Sequence, residues 1–201
     1  FAHLLDQQDN GLEVLNMGVP GFGIDQMVLK YERHGAALDP DLIILGIYVS
    51  DYERSTVDFT AAAKPLFQVV AEDLLLTNSP VPAPSVAVAQ VARSLEGRLF
   101  LAEFVRTRLP GARQDATQFF DSSDELISRL LTRLRDGLND EQQLLILHIP
   151  RGESFIRPEP FHQAMSARLQ ALYRQLNLRV LDVGVVLTRS IGPEQVPASF
   201  Y

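Results

Sequence analysis

A chain of 201 residues with 46% hydrophobic content is long enough for one domain with its own core. Its formal net charge of −7 repels phosphate backbones, which excludes nucleic acid as the expected partner. The absence of cysteine excludes disulfides and thiolate metal sites, and no apolar run approaches the roughly 18 residues of a membrane helix.

Taken in chain order, His3 falls in a first helix, and residues 13–16 (EVLN) read as a short strand ahead of a Gly/Pro turn. From Ile24 the apolar residues Met27, Val28, Tyr31 and Leu38 follow near-helical spacing until Asp39-Pro40 ends the run. Residues 41–49 (DLIILGIYV) are almost unbroken apolar sequence, which predicts a strand buried on both faces, as in a parallel sheet. Residues 64–77 predict a hairpin turning near Ala71-Glu72, followed by a proline-rich linker, NSPVPAPS.

Residues 86–109 predict a helix with Val91, Leu95 and Leu99 on one face, and residues 110–121 a loop. Ser122-x-x-Glu125 has the form of a capping box, opening a helix with Leu126, Leu130, Leu134 and Leu138 inward. Residues 143–149 (QLLILHI) predict another buried strand. Residues 158–176 form an amphipathic helical pattern through Phe161, Met165, Leu169 and Leu172. Residues 178–183 read as a last strand, and the tail as irregular. Strands alternating with helices imply an α/β fold with a parallel sheet, and residues 52–121 interrupt the alternation as an inserted hairpin and helical cap. Ligands of such sheets bind beyond the carboxyl ends of the strands, here residues 18–23, 50–55, 150–155 and 184 onward.

Residues 16–26 read NMGVPGFGIDQ. Glycines between a strand and a helix leave backbone N–H groups at the helix start, where the dipole favours an anion or a developing oxyanion. A tight turn that simply needs glycine at positive φ is the alternative. The order G-x-x-G-x-G departs from the dinucleotide fingerprint, so a nucleotide site is a weaker reading. In the second loop, Ser50 is positioned to donate into the ligand crevice and Asp51 to cap or hold the loop; a plain turn is the alternative.

Together, VLNMGVPGFGIDQ and, some twenty residues on, PDLIILGIYVSD resemble the SGNH (GDSL-type) hydrolase family. KPLFQVVAEDLLLTNSPVP, LLILHIP and LRVLDV extend the resemblance over most of the chain. It implies a three-layer flavodoxin-like α/β fold and a serine ester hydrolase, or an acyl-transferring relative, that uses neither metal nor cofactor. Its substrate would be a small-molecule, carbohydrate or lipid ester. Gly21 matches the glycine whose N–H donates to the oxyanion, and Ser50 stands where the family has asparagine; Gly18, Gly23, Asp51 and His148 are the accompanying candidate binding residues.

Neither the family's Gly-Asp-Ser block nor its Asp-x-x-His block occurs in the sequence. Of the four histidines, His3, His34, His148 and His162, only His148 lies near a strand end on the ligand side, and their scatter supports no metal site. Residues 1–201 are therefore expected to be one domain, incomplete at both ends, with nucleophile and base outside it. A non-catalytic binding domain of the same fold is the alternative. The resemblance leans toward an exported, periplasmic or membrane-tethered bacterial protein, and edge pairing into a homo-oligomer is a further expectation.

Overall fold

The computed structural model describes residues 2–6, 11–60, 62–84, 86, 113–152 and 159–191. Within them the chain is α/β. Helix α1 (Ala2–Asp6) precedes α2 (Ile24–Lys30), which loosens into wider and then tighter helical turns up to Leu38. Asp39, at φ 46°, closes them. Strand β1 (Leu42–Tyr48) follows, then the single turn α3 (Asp51–Arg54) and the strands β2 (Leu66–Val70) and β3 (Asp73–Thr77). Helix α4 (Arg113–Asp136), β4 (Gln143–Ile149), α5 (Pro160–Gln175), β5 (Arg179–Asp182) and α6 (Val183–Ile191) complete the order.

The main sheet has the order β1-β4-β5, all parallel, with Leu42 opposite Gln143 and His148 opposite Asp182. Paired residues of a parallel sheet share a face, so Leu45 with Ile146 and Ile47 with His148 point to the same side. That side is the core. Ile24 and Val28 of α2, Leu126, Ile127, Leu130, Leu131 and Leu134 of α4, and Met165, Leu169 and Leu172 of α5 pack there. The other side of β1 is only part covered, with Leu42 48% and Ile44 36% exposed. Strand β1 is thus buried on one face where its unbroken apolar run predicted two. The run reports apolar content, and burial depends on which face the helices reach.

The hairpin turns where expected, with Val70 opposite Asp73 and Ala71 at φ 56°. It is not a detached lobe. Phe67 is buried in the main core, and Arg133 of α4 stacks over its ring at 5.3 Å.

Four expectations need correction or fall outside the described residues. Residues 13–16 join neither sheet, and Leu15 among them is 57% exposed. A strand needs a neighbour, and among the described residues β1 pairs only with β4. The expected loop at 110–121 and the helix start at Ser122 give way to α4, which runs unbroken from Arg113. Ser122 and Ser123 donate instead to the carbonyl of Phe119, at 3.1 and 2.6 Å, as serines inside a helix do. Phe119 and Phe120 extend the apolar stripe past the false cap. The expected irregular tail begins as α6, whose first turn is capped by Asp182 Oδ1 accepting from Val185 N–H at 3.1 Å. The helix expected over 86–109 lies, apart from Val86, outside the described residues.

Helix α5 starts with proline in its first turn, where no N–H is needed, and Asn177 at φ 52° follows its end. No described helix is long and apolar enough to cross a membrane.

Candidate functional site

Two turns meet at the carboxyl end of β1. The first is the glycine turn. Phe22 N–H donates to Val19 O at 3.3 Å, and Gly23 N–H to the Gln26 side chain at 3.3 Å. The second starts at Ser50 and winds into α3. Ser55 joins them: its Oγ accepts from Ile24 N–H at 2.8 Å and donates to the Asp51 carbonyl at 2.6 Å. The contact is close because Gly23 has no side chain. A Cβ there would lie 2.9 Å from the Arg54 carbonyl carbon and from Ser55 N, with the Asp25 carboxylate nearer still.

This arrangement changes what the glycine turn offers. Ile24 and Gly23 have already spent their N–H groups on Ser55 and Gln26, and α2 is only 7 residues long. The start of α2 is therefore not an open anion site of the kind the sequence suggested. Gly21 is different. It sits exposed at φ 82°, and its N–H has no acceptor among the described residues. Ser50, 4% exposed, makes no side-chain hydrogen bond among the described residues that would tie up its hydroxyl. Gly18 lies at the exposed outer end of the turn, its N–H held by Asn16 Oδ1 at 3.0 Å.

Asp51 is buried and structural in its contacts. Its carboxylate accepts from Tyr48 N–H at 2.8 Å and pairs with Arg54 at 2.7 Å, which fixes the turn carrying Ser50. Burial pushes its pKa up to about 6, against the opposing pull of the Tyr48 N–H and Arg54. Beneath the turns, Asp25 and Lys64 form an ion pair with side chains 1% and 3% exposed. Asp25 Oδ1 has no partner, and burial raises the carboxyl pKa although Lys64 opposes the shift. This pair clamps the hairpin's first residues to α2, and Asn78 adds a bond to the Lys64 carbonyl at 2.6 Å. Sequence reasoning missed it. A lone lysine before a proline carries no pattern, and Asp25 reads as an ordinary first-turn acid.

His148 does not join the two turns. It is fully buried on β4 and faces α5, with its Nε2 2.9 Å from Ser166 Oγ and its ring edge-on to Tyr173 at 5.8 Å. Burial lowers its pKa, and Asp182 opposes this from the neighbouring strand. Above it opens a cavity of about 270 Å³ between α5 and the ends of β1 and β4, lined by Val49, Pro150, His162, Gln163, Ser166 and Gln170. Ser166 was not singled out in the sequence. The only signal was the spacing of Gln163, Ser166 and Gln170, which shares a helix face. His3 and His34 are exposed, and His162 pairs with Glu159 at 2.9 Å. The described residues hold no group of three acidic or histidine side chains able to bind a metal. The loop residues 153–155 lie outside the described residues.

No family model matches the chain, and no curated protein or solved structure matches it either.

Proposed function

We propose that the protein is a serine ester hydrolase of the SGNH type with a flavodoxin-like α/β layout. Gly21 N–H and the Ser50 hydroxyl would donate to the oxyanion of an ester substrate. The observation that carries the reading is the Ser55 bridge. It holds the glycine turn against the Ser50 turn at the carboxyl end of a parallel strand, leaving one N–H and one hydroxyl without partners among the described residues. Acyl transfer needs donors where charge develops on the carbonyl oxygen in the transition state, and on this reading these two groups supply them. On this reading, residues outside these 201 supply the nucleophile and base, since neither motif occurs in the sequence.

Ser50 is a shorter donor than asparagine. The test is turnover of a small chromogenic ester by a protein that carries that nucleophile and base together with these residues, as wild type, Ser50→Ala and Ser50→Asn. Losing one oxyanion donor costs about 10²–10³ in kcat. The alanine variant should therefore lose activity through kcat, and the asparagine variant should gain it. Equal kcat in all three would sink the assignment. No turnover in any of them would favour a binding domain, the reading that the serine at this position also permits.

A further inference from the structure

We propose that Ser166 is itself a nucleophile, activated by His148, that takes the acyl group of a small neutral ester bound in the cavity between α5 and the ends of β1 and β4. This goes beyond the preceding reading, because it concerns different residues and a serine inside this chain.

The geometry has four parts. Ser166 lines the cavity, and its Oγ is 2.9 Å from His148 Nε2, within the reach a general base needs. His148 is fully buried behind it, so the base is screened from water while the hydroxyl borders the cavity. Asp182 sits opposite His148 in register on β5, on the same face of the sheet. Its negative charge favours an imidazolium there. Gln170 donates to Asp182 Oδ2 at 3.0 Å, and the Val185 N–H donates to its other oxygen, so the carboxylate is held in place. Finally, His148 Nδ1 is buried without a partner among the described residues. A packed structural histidine normally satisfies both ring nitrogens, since an orphaned polar atom costs about 1–3 kcal/mol. This ring satisfies only the nitrogen facing Ser166.

The lining sets the substrate class. Val49 and Pro150 supply an apolar wall, and Gln163 and Gln170 bring neutral amides beside the serine. At about 270 Å³ the cavity lies just below the usual range for ligand pockets, which suits a short acyl group. In the reaction, Ser166 Oγ bonds to the ester carbonyl carbon as His148 Nε2 takes the hydroxyl proton. The bond to the alcohol oxygen then breaks, and the alcohol leaves with that proton. Water attacks the acyl-serine ester, giving its proton to His148, and the acid departs as Ser166 recovers its hydrogen. The net change is ester plus water to acid plus alcohol.

The groups facing His148 are Asp182 from β5 and Tyr173 and Ser166 from α5, while its partner on β1, Ile47, carries no charge. Burial keeps the ring neutral to lower pH than a free imidazole. The test is reaction of the protein with a fluorophosphonate, followed by peptide mass mapping. One adduct on the peptide containing Ser166, absent in Ser166→Ala, is expected. Its rate should be flat above neutral pH and fall on acidification. Asp182→Asn, which keeps the cap acceptor but removes the charge, should move that fall to lower pH. An unlabelled Ser166 peptide, or a rate with no acid limb, would overturn the proposal. An adduct on another serine would overturn it too, yet leave the role of Gly21 and Ser50 standing.

Discussion

Ser55 Oγ stands 2.8 Å from the backbone nitrogen of Ile24, 31 residues earlier in the chain. The same oxygen donates to the Asp51 carbonyl, so one hydroxyl satisfies the first N–H of α2 and ties it to the turn after β1. Both groups are buried. Ser55→Ala leaves the Ile24 N–H without an acceptor, and such a loss costs about 1–3 kcal/mol. Thermal unfolding should show that decrease. Ser55→Thr, which keeps the hydroxyl, should lose less if the added methyl finds room. Full stability in the alanine variant would mean that water replaces the bridge.

The elements legible in the sequence were those with a strong period. α5 lies within one or two residues of its expected bounds, because Met165, Leu169 and Leu172 mark one buried face and Pro160 marks its start. β4 matched its apolar run in full. What failed were the local signals that tertiary packing overrides. Ser122 and Glu125 have the spacing of a cap, but Phe119 and Phe120 stack on Tyr52 and Phe161 and carry the helix through. The site divides the same way. The glycine turn leaves no strand of either sheet, so its meeting with the Ser50 turn rests on the Ser55 bridge. Ser55, Lys64 and Ser166 act through contacts distant in sequence, which no spacing announces.

The Asp25–Lys64 pair should respond asymmetrically to substitution. Lys64→Met removes the cation and strands a carboxylate that is 1% exposed. Breaking one side of such a pair costs about 3–5 kcal/mol, whereas replacing both sides by apolar residues is often neutral. Denaturant midpoints should place Lys64→Met well below the wild type. Asp25→Leu combined with Lys64→Met should recover most of the loss. If the double variant is no better than the single, the pair positions the hairpin through more than its charges.

Asp51 makes stability depend on pH with a definite sign. Its folded pKa of about 6 lies above the ordinary value of 3.8, so the folded state binds the extra proton between those values. Stability from this group is present below about 4 and is lost as pH rises through about 6. A shift of this size corresponds to about 3 kcal/mol at most. Asp51→Asn keeps an oxygen for the Tyr48 N–H and removes the titration. Urea unfolding at pH 4.5 and pH 7.5 should show a smaller difference in the variant than in the wild type. An unchanged pH dependence would locate it in another group, with Asp25 the next to test, since burial raises its pKa as well.

Gly21 and Gly23 stand two residues apart and should fail for different reasons. At Gly23 the backbone is ordinary, φ −85°, and space is the constraint, with Arg54 and Ser55 backbone atoms 2.9 Å from any added Cβ. Alanine there pushes the two turns apart, an overpacking that costs about 1–3 kcal/mol. At Gly21 nothing lies within 4 Å, but φ is 82°. Alanine there pays only the left-handed backbone cost, about 1–2 kcal/mol, and keeps its N–H. Gly23→Ala should therefore lower both melting temperature and ester turnover, because it displaces Ser50 relative to the glycine turn. Gly21→Ala should lower stability and leave kcat closer to the wild type, provided the strained turn holds. The reverse order in kcat would mean that the position of Gly21, rather than the spacing of the two turns, governs the site.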